Sequence, residues 1–75
     1  MPIVLFFGPL IDATGVDELK IDATDTTALQ HYLKTVYPAL SGHSYAVAVN
    51  GELIRDTTIL NEHDEVALLP PYSGG

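Results

Sequence analysis

The sequence predicts an α+β fold: a mixed sheet of about five strands, one main helix packed across it, and an extended C-terminal tail. Three features carry that expectation. Strand-like and helix-like stretches follow one another as β-β-α-β-β-β within 75 residues. The two most apolar runs are the first and the last, as two strands side by side at a sheet centre would require. The final run stops at Pro70-Pro71 and the chain then ends in Gly74-Gly75. A single helix covering one side of a sheet is a standard α+β layer solution.

The elements follow in order. Ile3 to Phe7 is a continuous apolar run bounded by Pro2 and by Gly8-Pro9, and reads as a strand covered at least in part on both faces. Residues 8–16 are expected as a loop, with Gly15 at a turn. Glu18-Leu19-Lys20-Ile21-Asp22 alternates, so Leu19 and Ile21 should face inward. Asp25 offers a helix N-cap. Leu29, Leu33, Val36 and Leu40 then form one helical stripe, with Tyr32 beside it. Pro38 should end that helix at or before Tyr37. Tyr45 to Val49 reads as a third strand, Asn50-Gly51 as a tight turn, and Glu52 to Ile54 as a short return strand. Ile59-Leu60 should tuck under the sheet, and Asn61 to Asp64 should turn the chain into the last strand, residues 65–69. Ubiquitin-like β-grasp domains have this order. Residues 1–75 are therefore expected as one β-grasp domain, with 70–75 as a mobile tail.

The tail is the chemically suggestive stretch. Proline has no N–H to donate, so a paired strand cannot run through Pro70-Pro71. From there six residues could extend roughly 20 Å at ~3.3 Å each. Gly74 and Gly75 carry no Cβ, so such an end can enter a slot too narrow for side chains. A terminal carboxylate is ionised at neutral pH. Its oxygen can attack the α-phosphate of ATP to give an acyl-adenylate, from which a sulfur or amine nucleophile displaces AMP. The reactive atom would then belong to the main chain.

Composition narrows the alternatives. With no cysteine, neither a disulfide nor a side-chain thiolate is available. A net charge of −7, with Lys20, Lys34 and Arg55 as the only cations besides histidine, argues against nucleic acid. It suits a basic protein partner, or solubility alone. A hydrophobic content of 47% is ample for a core. No stretch approaches a membrane span, the first apolar run lacks a preceding basic residue, and the expected location is the cytoplasm. His31, His43 and His63 show no metal-ligand spacing and are expected at the surface. Asp64-Glu65 and Asp12, Asp17 and Glu18 read as solvated charge, and no Gly-rich phosphate loop occurs.

Leu5-Phe6-Phe7-Gly8, Val47-Ala48-Val49-Asn50, Asp64-Glu65-Val66-Ala67-Leu68-Leu69-Pro70-Pro71 and Ser73-Gly74-Gly75 together resemble the small, sulfur-carrying subunit of molybdopterin synthase. The most specific piece is the acidic turn and strand that run into Pro-Pro-x-x-Gly-Gly. The thiazole-synthesis sulfur carrier shares the fold and the Gly-Gly end but usually lacks the Pro-Pro step. The resemblance implies a carrier without catalytic side chains and without a bound cofactor. An E1-like activating enzyme would adenylate Gly75 with ATP and magnesium, and a sulfur-relay protein would leave a thiocarboxylate there. The loaded chain would dock on the large catalytic subunit, in a heterotetramer, and donate sulfur to cyclic pyranopterin monophosphate.

By motif position the resemblance also assigns an apolar docking patch to Phe7, Leu53 and Leu69, and partner-tunnel contacts to Pro70, Pro71, Tyr72, Ser73 and Gly74. Strand alternation agrees in part: Leu68 should face the helix and Leu69 the opposite side. Three departures stand out. The first loop reads Gly8-Pro9-Leu10-Ile11-Asp12 where the family usually carries an Arg-Glu pair. Tyr72 replaces a smaller residue. His63 stands where glycine is common, and is expected to tolerate a positive φ there. Two other functions fit the same tail: a ubiquitin-like modifier joined through Gly75 to lysines, and a plain interaction domain with an inert end.

Overall fold

The computed structural model describes residues 1–71. The candidate tail residues Tyr72, Ser73, Gly74 and Gly75 lie outside the described residues. The sheet has five strands: β1 (Ile3–Phe6), β2 (Glu18–Lys20), β3 (Ala46–Val49), β4 (Glu52–Leu53) and β5 (Glu65–Leu69). Their spatial order is β2-β1-β5-β3-β4. β1 and β5 run parallel, and the other neighbours are antiparallel. The first and last strands of the chain thus lie side by side, with β5 at the centre. Both have partners on either side, so their backbone groups are paired within the sheet and their apolar side chains are free to pack. This is the ubiquitin-like β-grasp arrangement.

The long helix, α2 (Thr26–Val36), starts where its cap is chemically provided: the Asp25 carboxylate accepts from the Ala28 N–H at 2.8 Å. Such a cap contributes about 1 kcal/mol. Leu29 and Leu33 are fully buried against Val4, Phe6, Val66 and Leu68 in one core. The predicted stripe holds only that far. Val36 is 45% exposed and Tyr32 faces solvent. Pro38 stops the α-helix, and a 3₁₀ turn over Pro38–Gly42 re-aims the chain. Leu40 is buried from that turn, out of helical phase with Leu33. Tyr37 fills the place given to Val36, with its ring edge-on to Phe6 at a centroid distance of 6.5 Å.

Other expectations need correction. Residues 8–16 are not all loop: Pro9–Thr14 form a short helix, α1. Pro9 is pre-organised for the first turn, and Gly15 closes it in the left-handed conformation at φ 80°. The asymmetry of Pro before and Gly after was present in the sequence, but six residues give too little periodicity to register. Leu10 on α1 is fully buried. Ile59 does not tuck under the sheet; it is 77% exposed, and Leu60 alone is buried. The reason lies in backbone pairing: the Thr26 N–H donates to the Thr58 carbonyl, and the Leu60 N–H to the Thr24 carbonyl. That extended pairing turns alternate side chains in and out. His63 has no positive φ. Among the described non-glycine residues Asn50 alone does, at 50°. With Gly51 at φ 85° it makes the tight β3–β4 turn that Asn-Gly favours.

Candidate functional site: an apolar sheet face and the root of the tail

The strand registers decide which side chains share a face. Val66 and Leu68 of β5 are fully buried on the helix side, so Ala67 and Leu69 point the other way. Leu5 lies opposite Ala67, Ala67 opposite Ala48, and Ala48 opposite Leu53. These four make one apolar row across β1, β5, β3 and β4. Next to it, toward the end of β5, Ala46 pairs with Leu69. Continuing the parallel register by one residue sets Phe7 beside Leu69. Phe7 is 42% exposed and Leu53 69%, whereas Leu69 is half-buried.

The residues assigned to docking, Phe7, Leu53 and Leu69, therefore lie on one side of one sheet. Their small neighbours Ala46, Ala48 and Ala67 were not singled out from the sequence. Alternation alone could have found them, because Ala48 and Ala67 each lie between two core positions of their strand and Ala46 is two residues before Ala48. An uncovered apolar face on a domain this small is a feature that marks protein–protein contact. Its far edge is polar: Glu18 lies across from Leu5, and Lys20 and Glu65 flank Ile3.

Pro70 is half-buried and Pro71 exposed at the end of β5. β1 and β5 leave the sheet at the same end because they run parallel. Pro70 there comes close to Gly8, where β1 turns into α1. The opposite end of β5 is held differently. The Asn50 carboxamide donates to Asp64 Oδ1 and accepts from the Glu65 N–H, both at 2.9 Å. Asp64 Oδ2 accepts from the Asn61 N–H at 2.7 Å. The Asn61 N–H, aided by the Asn50 amide, holds the Asp64 carboxyl below its ordinary range, slightly opposed by desolvation.

A polar hollow of about 270 Å³ opens beside the start of α2, lined among others by Thr26, Gln30, Tyr45, Arg55 and Asp56. It contains no histidine and no paired carboxylates. Burial pushes the Tyr45 phenol up from its ordinary value. Among the described residues no group of three or more His, Asp or Glu side chains could hold a metal ion. Nor is any described helix long and apolar enough to cross a membrane.

Comparison with known proteins decides the family. The ThiS family model matches residues 4–75. The chain belongs to the ThiS family. Within reach of this family, it is 36% identical over 80 residues to the molybdopterin synthase sulfur carrier subunit of Dictyostelium discoideum, covering 96% of this chain and 93% of that one. It superposes on the solution structure of small archaeal modifier protein 1 from Methanosarcina acetivorans with a TM-score of 0.86. That pair shares 29% identity over 99% of this chain and 95% of the other. Subunit 1–subunit 2 of the molybdopterin-converting factor from Helicobacter pylori, solved as a complex, contains a chain that matches with a TM-score of 0.76. It is 33% identical, covering 99% of this chain and 97% of that one.

Proposed function

We propose that this ThiS-family chain is the sulfur carrier subunit of molybdopterin synthase, with the carboxyl group of Gly75 as its reactive site. The observation that carries the reading is its similarity, over nearly the whole chain, to subunits of that name. The composition supports it: a chain without cysteine has no side-chain thiol on which sulfur could ride, so a terminal acyl group is the natural attachment point.

In the proposed cycle a Gly75 carboxylate oxygen attacks the α-phosphorus of ATP, and pyrophosphate leaves. The outer sulfur of a persulfide on a relay protein then displaces AMP to give an acyl disulfide, and a thiol cleaves its S–S bond, forming a disulfide with the relay sulfur and releasing the thiocarboxylate. Magnesium and the nucleotide belong to the activating enzyme. On the large synthase subunit the thiocarboxylate sulfur bonds to a side-chain carbon of the pyranopterin precursor, and the oxygen substituent of that carbon leaves, as water or as the opened phosphate ester. Water then cleaves the acyl–sulfur bond, leaving sulfur on the pterin and restoring the carboxylate. Two loaded chains supply the two sulfurs of the dithiolene. The body's part is delivery: the face of Phe7, Leu53 and Leu69 docks on the partner, and Pro70 through Gly74 enter its active site. Proximity is then the carrier's contribution, and acid, base and electrostatic stabilisation are the partner's.

Intact-mass measurement of the chain from sulfur-replete cells tests this reading. The expected result is exchange of one oxygen for one sulfur at Gly75; an unmodified mass under all sulfur supplies would refute it. The likeness to small archaeal modifier protein 1 favours a second use, conjugation of Gly75 to lysine amines. Gly-Gly remnants on lysines of other proteins would establish that use, and their absence would leave the carrier role alone.

A further inference from the structure

Gly8 has a backbone that other residues avoid, with φ 57° and ψ −136°. Its position explains why. At Gly8 the chain leaves β1 and turns sharply into α1: the Leu10 N–H donates to the Phe7 carbonyl and the Ile11 N–H to the Gly8 carbonyl. β5, parallel to β1 and adjacent to it, continues past the same point into Pro70. A Cβ built on Gly8 would stand 3.3 Å from Pro70 Cγ and 4.0 Å from Cδ. The first of these is tighter than ordinary carbon contacts, so the ring would have to give way. The other positive-φ turn glycines, Gly15 and Gly51, have nothing within 4 Å of such a Cβ.

We infer that Gly8 is a positioning residue for the reactive end. Its bare α-carbon is the seat of the Pro70 ring, and that contact sets the direction in which the C-terminal segment leaves the body. The inference rests on the carrier reading for its functional consequence, but not for the contact itself. Proline transmits the effect well. Its φ is fixed, so a shift of the ring carries the following backbone with it. The position of the ring therefore sets where the backbone starts toward its reactive end, and small misplacements of a reacting group are costly.

The test compares the unsubstituted chain with Gly8→Ala, Pro70→Ala, the double variant, which separates backbone strain at Gly8 from the contact, and Gly15→Ala, a left-handed turn glycine without a neighbour. The readout is kcat/KM for pyrophosphate release by the adenylating enzyme, on full-length chains of checked fold. Gly8→Ala is expected to lower it about three- to tenfold. Adding Pro70→Ala should restore it to within about twofold of Pro70→Ala alone, and Gly15→Ala should stay within about twofold of the unsubstituted chain. A Gly8→Ala variant that behaves like Gly15→Ala, or a double variant that shows no recovery, overturns the proposal. Should Gly8→Ala fail to fold, the contact is decided on the unsubstituted chain. Independently, the unsubstituted chain should show a nuclear Overhauser effect between the Gly8 α-protons and the Pro70 ring protons. Its absence overturns the inference while leaving the carrier reading, which the mass measurement tests, untouched.

Discussion

The two ends of β5 are built from opposite materials. At its start, Asp64 and Glu65 are tied to Asn50 and Asn61 by side-chain hydrogen bonds. At its finish, Leu69 pairs with Ala46 and Pro70 stands close to Gly8, and proline has no N–H with which to continue the ladder. One end is anchored by directional bonds, which fix register. The other is closed by shape, with the Pro70 ring beside Gly8. The lesson is a division of labour along one strand. Directional side-chain bonds hold the strand where the chain enters the sheet, and apolar packing holds it along the helix side. The same contrast runs across the strand: Leu68 is fully buried against the helix, and its neighbour Leu69 faces the open side.

The sharpest way to break this comparison is to remove the end itself. Deleting Gly75 should abolish acyl-adenylate formation while the thermal midpoint stays within about 2 °C, since no packed side chain is lost. A large fall in the midpoint would mean that body and tail are one unit. Next come the two faces of the strand. Leu68→Ala should cost about 3 kcal/mol in denaturant unfolding. Leu53→Glu, on the open face, should change stability by less than about 0.5 kcal/mol yet weaken binding to the large subunit by at least about tenfold. Equal stability losses at both positions would erase the distinction.

Smaller effects sharpen the anchored end. Asn50→Ala removes both carboxamide hydrogen bonds and a residue tolerant of positive φ, and should cost about 1–2 kcal/mol by chemical denaturation. Asn50→Gly keeps the turn and should recover part of that loss. The last prediction concerns pH. Asp64 has a folded-state pKa below its unfolded value, so its contribution is present above the ordinary carboxylate range. It is lost as pH falls through the depressed folded value. The midpoint gap between the unsubstituted chain and Asp64→Asn should therefore narrow as pH is lowered from about 6 to about 2. A gap that does not vary with pH would remove Asp64 from the anchor.

Much of the molecule was legible from residue order. Local chemistry marked β5, the Asp25 cap, the Asn50-Gly51 turn and the stop at Pro38, because each depends on a few neighbouring residues with strong backbone preferences. The Leu68/Leu69 division also followed, since a strand alternates whatever surrounds it. What local pattern could not supply was where the chain would be covered. Val36 looked like core and is exposed, and Ile59 likewise, because burial depends on what packs above a residue rather than on its own hydropathy. Assembly of Phe7, Leu53 and Leu69 on one face, from strands far apart in sequence, was expected only by resemblance; the strand registers supply its geometry. The seat of Pro70 on Gly8 was invisible beforehand. The sequence by itself determined the five strands, the long helix, their stops and the absence of a side-chain thiol, all matters of local backbone preference and residue chemistry. Only the tertiary structure decided which residues share a face and what stands beside the tail's root, because a parallel pairing of the chain's two ends brings residues 8 and 70 together.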